Sequence, residues 1–377
     1  LFGSNILLSS VSEIKNILGP RIFLISDPTL SKIGLYNSLV DHLISKGIKI
    51  KIFDKVNEDP SIENLQSAIE EATIFLATGI IGFGGGSPMD VAKLTALMLG
   101  SNDKIDEIWG VDKVVGPRLP LVLIPTTAGT GSEVTPISII TLSNSEKKGV
   151  SSKVIIPDLA ILDPILTSNL PSKTTASTGI DAMVHAIEAF TSKSKNNNPI
   201  SKALAEKSLM LLSDSIIKAV ENGKNDAVAR NQMLLGSLMA GMSFANSPVA
   251  AVHALAYPLG GIYKITHGLS NALILPYVIR FNMKDDETRD SYLHLSDIIF
   301  PQLKHIKYLE DKTLAFVNGF INLSKRFNLP TRIRDLGIPK KACKTMSIEA
   351  MNQERLLINN PIRLTQDDAQ KIYEEAW

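Results

Sequence analysis

The stretch GFGGGSPMDVAKLTALML, residues 82–99, constrains this chain more than any other. An apolar run enters three consecutive glycines and leaves with a helical pattern. Glycine lets the backbone approach an anion closely and turn its N–H groups toward it. Pro88 suits a first helical turn, and the helix N-terminus adds its positive end. A pyrophosphate is the natural occupant of Gly84, Gly85, Gly86 and Ser87, with Asp90 one turn further along. The spacing is not G-x-G-x-x-G, so the standard dinucleotide fingerprint is absent and a purely structural glycine turn is the competing reading.

Around this stretch, short apolar runs alternate with helical patterns. RIFLIS (21–26) reads as a strand ending at Asp27-Pro28, with a helix-like stretch over 35–45. GIKIKIFD (47–54) reads as a second strand, 60–72 as a helix, and IIGFG (80–84) as a third strand. Strand–helix alternation implies parallel pairing through right-handed crossovers, hence an α/β layer. LPLVLIPT (119–126), TPISIIT (135–141) and LAILD (159–163) add strands. After Pro171 the β signal fades and the periodicity is mostly helical. The expected organisation is an α/β domain over 1–171 and an all-helical domain over 172–377; the length of 377 residues supports two cores.

Two loops carry further nucleotide signals. A carboxylate at Asp27 can accept hydrogen bonds from ribose hydroxyls and would repel a 2′-phosphate, favouring NAD over NADP; the alternative is a simple Asp-Pro turn. PTTAGTGSEVTP (125–136) is dense in hydroxyls and glycine after a strand, so Thr126, Thr127, Thr130, Ser132 and Thr135 are candidates to line a cofactor groove.

In the helical half, Asp181 and His185 stand four residues apart, a spacing that stacks two side chains on one helix face about 5–6 Å apart at Cβ. A carboxylate and an imidazole so placed can share one divalent cation. The chain has six histidines, and His253 and His267 lie in one segment punctuated by Gly and Pro. Pro258 and Gly260-Gly261 interrupt that segment, so His253 is expected to end one helix and His267 to begin the next. His42, His294 and His305 read as surface residues. Glu188, one turn past His185, reads either as support for a ligand or as a solvated helix residue.

The balance of charges excludes other classes. A net charge of +1 gives no reason to expect nucleic acid or an anionic membrane as partner. A single cysteine, Cys343, excludes an internal disulfide framework and fits a reducing compartment. With no long apolar run or charged-then-apolar leader, the expected location is cytoplasmic.

At this point the chain resembles the iron-containing (group III) alcohol dehydrogenases, relatives of glycerol dehydrogenase and dehydroquinate synthase. The matching stretches are FGGGSPMDVAK (83–93), IPTTAGTGSEVTP (124–136), LDPILTSNLP (162–171), TGIDAMVHAIEAF (178–190), VHALAYPLGG (252–261), HGLSNALILP (267–276) and NPIRLTQDDAQKIYEEAW (360–377), in the family's order and spacing. The resemblance implies a Rossmann-like N-terminal domain, an all-α C-terminal domain, and a cofactor and metal meeting between them. It places the metal ligands on Asp181, His185, His253 and His267, and the pyrophosphate loop on Gly84–Ser87. It puts Asp27 at the position that selects NAD, Asp59 near the adenine, Thr126, Thr127 and Thr135 in a cofactor loop, and Lys148 and Leu166 as looser cofactor contacts. Where many members carry a second histidine four residues after the third ligand, this chain has Tyr257, which leaves the proton-relay role open.

The resemblance implies an NAD-dependent, metal-dependent dehydrogenase of a small alcohol or diol, working as a carbonyl reductase in reverse and assembled as a homodimer or larger. Three imidazoles and a carboxylate suit Fe²⁺ or Zn²⁺, with Co²⁺ and Mn²⁺ also compatible. The ion would act as a Lewis acid on the alcohol oxygen while hydride passes to the nicotinamide. Alternatives on the same fold are a hydroxyacid–oxoacid transhydrogenase, a metal-independent maleylacetate-reductase-like enzyme and a dehydroquinate synthase-like lyase. The lyase would want several Lys and Arg near the ligand segments, where Lys264 is the only close one.

Overall fold

Strand β1 (Arg21–Ile25) has apolar side chains on both of its faces, so it must be covered on both. In the computed structural model, which describes residues 1–142 and 146–377, it lies inside a five-stranded parallel sheet. The other strands are β2 (Lys49–Phe53), β3 (Gly79–Gly84), β5 (Leu121–Pro125) and β8 (Leu159–Ala160), in the order β2-β1-β3-β5-β8. The period-two rule then sorts the side chains. Phe23, Ile25, Ile80, Leu121 and Leu123 enter the core on one face, with the Ile62–Phe75 and Gly86–Gly100 helices. Ile22, Leu24, Ile81, Val122 and Ile124 enter the core on the other, with the Val11–Leu18 and Asn37–Ser45 helices. Each such side chain, wholly buried, is worth about 1.5–3 kcal/mol. Lys49 and Lys51 on β2 keep the sheet's edge charged, which discourages pairing with another chain.

The chain runs from β1 outward to β2 and then returns to the other side of β1 as β3. The strand order therefore reverses between β1 and β3. In open α/β sheets that switch point, at the carboxyl ends of the strands, is where ligands sit. Here it brings Asp27 and the Gly84–Gly86 run side by side, tied by the Ser26 hydroxyl donating to the Phe83 carbonyl at 2.9 Å. Gly82 explains the tight fit of the following helix: a Cβ there would meet Ala92 Cβ at 2.8 Å and Leu123 Cδ2 at 2.6 Å.

One strand expected for this layer lies elsewhere. β6 (Ile137–Thr141) pairs antiparallel with β7 (Lys147–Ser151), and β7 pairs with the short β4 (Gly110–Val111), forming a separate three-stranded sheet. Its alternating burial, half in and half out, suits a sheet with one covered face.

The described residues divide into two compact units, Leu1–Asn169 and Leu170–Trp377, and the second holds no strand among them. Its Ser172–Thr191 helix is enclosed on nearly every side from Gly179 to Phe190 by the Pro199–Asn222, Ala227–Asn246 and His267–Asn282 helices. Only small side chains allow such crowding: a Cβ on Gly179 would meet Met233 Cε at 2.7 Å, and one on Gly268 would meet the Ser177 carbonyl oxygen at 2.6 Å.

The expectation that His253 ends a helix is corrected. The Ala251–Tyr263 helix runs through Pro258 and Gly260-Gly261, so His253 lies in its first turn. An interior proline costs about 3 kcal/mol; burial of Val252, Leu255 and Leu259, among others, offsets it. The chain breaks only at Lys264, in the left-handed region at φ 58°, and His267 opens the next helix as expected.

Candidate active site

Four side chains of the second unit converge. Asp181 and His185 come from the Ser172–Thr191 helix, His253 from the first turn of the Ala251–Tyr263 helix, and His267 from the first residue of the His267–Asn282 helix. One ligand atom from each lies within 4.8 Å of the others. Ligands of one tetrahedral ion bound at about 2.0–2.2 Å lie about 3.3–3.6 Å apart, so the four atoms are close enough to draw in around a single ion. The Asp181, His185 and His253 side chains are buried, whereas the His267 side chain is 33% exposed, which makes the His267 side the open one.

The surroundings fix these groups. Glu188 is buried; its Oε1 accepts from the Val252 backbone N–H at 2.6 Å and its Oε2 lies 2.6 Å from His253 Nδ1. A carboxylate facing Nδ1 keeps the proton there and turns the Nε2 lone pair toward the group, the arrangement metal-bound histidines usually have. Of the two readings of Glu188, the solvated one is excluded: the carboxylate is buried and faces the His253 ring. The Phe244 ring stacks on His185 at 4.5 Å, and the His185 and His253 rings stack at 4.8 Å. Tyr257 lies beside His267, ring centres 6.3 Å apart. Burial alone would raise the Asp181 carboxyl; the imidazoles of His185, His267 and His253 and the Asn271 amide hold it below its ordinary range. An anionic carboxylate and three imidazole nitrogens are a donor set for a first-row divalent ion.

The glycine loop of the first unit has the shape of an anion cradle. Gly84 has φ 151°, and a Cβ there would press on Pro88 Cγ at 2.7 Å; one on Gly86 would sit 3.0 Å from Thr130 Cγ2. Gly85 is the N-cap of the Gly86–Gly100 helix and brings no side-chain cap, so the first-turn N–H groups are open to an outside acceptor. Ser87 lies in that first turn. Thr126 donates its backbone N–H to the Gly84 carbonyl at 2.9 Å, which sets the following loop against the glycines. Thr127 Oγ1 is buried with no protein partner, a polar atom that a bound group would satisfy. This geometry fits a pyrophosphate.

The other predicted cofactor residues have varied surroundings. Asp27 caps the Pro28–Ile33 helix, its Oδ1 accepting from the Thr29 and Leu30 N–H groups. Asp59 has φ 51° and binds Lys147 Nζ at 2.6 Å. Asp90 accepts from the Ser132 hydroxyl at 2.7 Å and the Ile139 N–H at 2.9 Å, so both Asp90 and Ser132 brace the loop internally. Thr135 is buried behind them, and Thr130 Oγ1 accepts from Ser132 N–H at 3.3 Å. Lys148 sits on β7 opposite Ile140, and Leu166 packs at the fringe of a sheet-face core.

Three buried polar residues, Lys93, Glu133 and Asn271, carry little signal in the sequence. Lys93 is wholly buried and donates to Ser132 Oγ at 2.8 Å and the Ile137 carbonyl at 2.7 Å; burial lowers its pKa to about 8. Glu133 is buried with Oε1 unpartnered, and burial raises its pKa to about 7. A lone lysine in an apolar helix was the available signal for the first. The third, Asn271, stands four residues after His267, the same spacing that singled out Asp181 and His185.

Comparison with known proteins adds an independent line. Residues 1–164 match the iron-containing alcohol dehydrogenase family, and residues 175–377 match the C-terminal part of the Fe-containing alcohol dehydrogenase family. The chain is 37% identical to long-chain-alcohol dehydrogenase 1 of Geobacillus thermodenitrificans over 97% of its length and 92% of that protein. It is 34% identical to sulfoacetaldehyde reductase of Bilophila wadsworthia, over 99% of the chain and 95% of that protein. Among solved structures, a 1,3-propanediol oxidoreductase superposes with a TM-score of 0.93 at 29% identity, covering 100% of this chain and 97% of that one. The sulfoacetaldehyde reductase of Bifidobacterium kashiwanohense, solved in complex with NAD+, superposes with a TM-score of 0.85 at 27% identity, covering 100% and 96%.

Proposed function

The chain belongs to the iron-containing alcohol dehydrogenase family, and from that premise we propose that it oxidises a small alcohol or diol with NAD, using iron held by Asp181, His185, His253 and His267. The observation that carries the reading is the convergence of those four side chains within 4.8 Å, with a buried carboxylate behind one of them. It favours this chemistry over a metal-independent reduction on the same fold. Support for a small substrate comes from relatives named as an NAD-dependent methanol dehydrogenase and a 1,3-propanediol dehydrogenase, beside one named as a long-chain-alcohol dehydrogenase.

A divalent ion in this group supplies Lewis acidity to an alcohol or carbonyl oxygen, lowering the cost of its negative charge. The protein's part is to hold and orient. Asp181 contributes the one anionic donor. Glu188 holds the proton of His253 on Nδ1, so that Nε2 faces inward. Phe244 fixes the plane of His185 by stacking. Tyr257, its ring centre 6.3 Å from that of the partly exposed His267, would take the proton-relay place there.

NAD supplies the hydride acceptor. Gly84, Gly85, Gly86 and Ser87 would hold its pyrophosphate at the helix N-terminus, with Thr126, Thr127 and Thr130 alongside. Asp27, at the switch point beside the glycines, would accept from a ribose and repel a 2′-phosphate.

The test is His267→Ala. It is expected to lose metal retention and alcohol-dependent NADH formation while keeping NAD affinity within a few-fold of wild type. Undiminished turnover in that variant would refute the reading.

A further inference from the structure

Asn271 is wholly buried on the His267–Asn282 helix, one turn beyond His267 and on the same face. Its Nδ2 lies 2.6 Å from Asp181 Oδ1 and 3.2 Å from the Nε2 atoms of both His253 and His267. Its Oδ1 meets no protein donor. A carboxamide nitrogen has two hydrogens, so it cannot serve three acceptors together. The shortest contact is the one to the carboxylate, where the hydrogen bond is charge-assisted. When the two imidazole nitrogens give their lone pairs to an ion, Asp181 remains as the acceptor for this amide.

The placement is built into the packing. Gly268 lets the start of the Asn271 helix approach Ser177 so closely that no Cβ fits between them. That approach carries the amide to the Asp181 carboxylate, which Glu188 does not touch. A buried amide left with an unpaired carbonyl costs free energy, so the site tolerates Asn271 for something other than stability.

We propose that Asn271 is a positioning residue for the metal ligands: its amide donates to Asp181 and fixes the carboxylate plane, as Glu188 fixes the His253 ring. The proposal rests on the four-ligand reading above. It assigns Asn271 no contact with substrate and no step in proton transfer.

The experiment uses the full-length chain, stripped of metal by a chelator and titrated with Co²⁺ against a competing chelator, with the cobalt absorption spectrum recorded alongside. Asn271→Ala removes the donor, and Asn271→Leu removes it at nearly constant volume; a cooperative thermal transition and NAD binding identify the variants that fold. Each folded variant is expected to bind Co²⁺ about 10- to 100-fold more weakly with an altered spectrum, and with NAD affinity unchanged. A folded variant with wild-type affinity and spectrum overturns the proposal. Failure of both to fold also overturns it, since Asn271 would then be holding the core. A wild-type chain that takes up no Co²⁺ refutes instead the four-ligand reading, so the two failures are distinguishable.

Discussion

Replacing Glu188 with glutamine changes the protons at the metal group while leaving its shape almost intact. The carboxylate accepts twice: from Val252 N–H at 2.6 Å and from His253 Nδ1 at 2.6 Å. Glutamine has one oxygen for these two tasks. If that oxygen stays on Val252, the amide NH₂ faces Nδ1, which must become an acceptor. The imidazole proton then moves to Nε2, the atom that points into the ligand group. If the oxygen instead faces Nδ1, two N–H donors confront each other in a buried site. Either outcome costs about 1–3 kcal/mol, the penalty for an unmade buried hydrogen bond. Spread over metal binding, that is roughly 5- to 150-fold, and orienting carboxylates elsewhere account for about 10- to 100-fold. The assay is competition between the metal-stripped chain and a chromogenic chelator for Zn²⁺, with NAD affinity measured on the same sample. Zinc affinity within about threefold of wild type would show that Glu188 does not set the His253 tautomer, and the reasoning fails.

Two further changes probe the first unit. Asp27→Ser keeps a hydroxyl able to cap the Pro28–Ile33 helix, so stability should change by no more than about 1 kcal/mol, while the charge that opposes a 2′-phosphate is lost. The ratio of kcat/KM for NADP over NAD should rise by about tenfold or more, and an unchanged ratio would remove Asp27 from cofactor choice. Glu133 has a folded pKa raised from 4.5 to about 7 by burial. A raised pKa contributes stability that is complete below 4.5 and lost as pH climbs through 7, a swing of roughly 3 kcal/mol. Glu133→Gln should therefore flatten the fall in thermal stability between about pH 4.5 and 7, and a variant with the wild-type pH profile would contradict it.

Much of the molecule can be read from the chain, for physical reasons that also mark where reading stops. Ile22–Ile25 and Leu121–Ile124 announce a parallel sheet because strands covered on both faces become continuous apolar runs. The Gly84–Gly86 run reads as an anion cradle because consecutive glycines let the backbone turn its N–H groups outward, and at Gly84 a Cβ would collide with Pro88. Asp181 and His185 are visible because helical spacing alone puts them on one face. The sequence puts His253 at the wrong end of its helix because proline's local cost shows in the chain and the burial that overrides it does not. The sequence does not separate β6 from the main sheet because pairing partners are a tertiary matter that no strand pattern encodes. Asn271 escaped notice because its partner lies 90 positions away, joined through a helix crossing that Gly268 permits.

The most direct test of the account is to purify the full chain without oxygen, strip it with a chelator, and add Fe²⁺ back in measured steps while following NADH formation from a short primary alcohol. The stripped protein should show no turnover, and activity should return linearly and level off at one ion per chain. Turnover by the stripped protein at the level of the reconstituted one would contradict it, and the cluster of Asp181, His185, His253 and His267 would need another role.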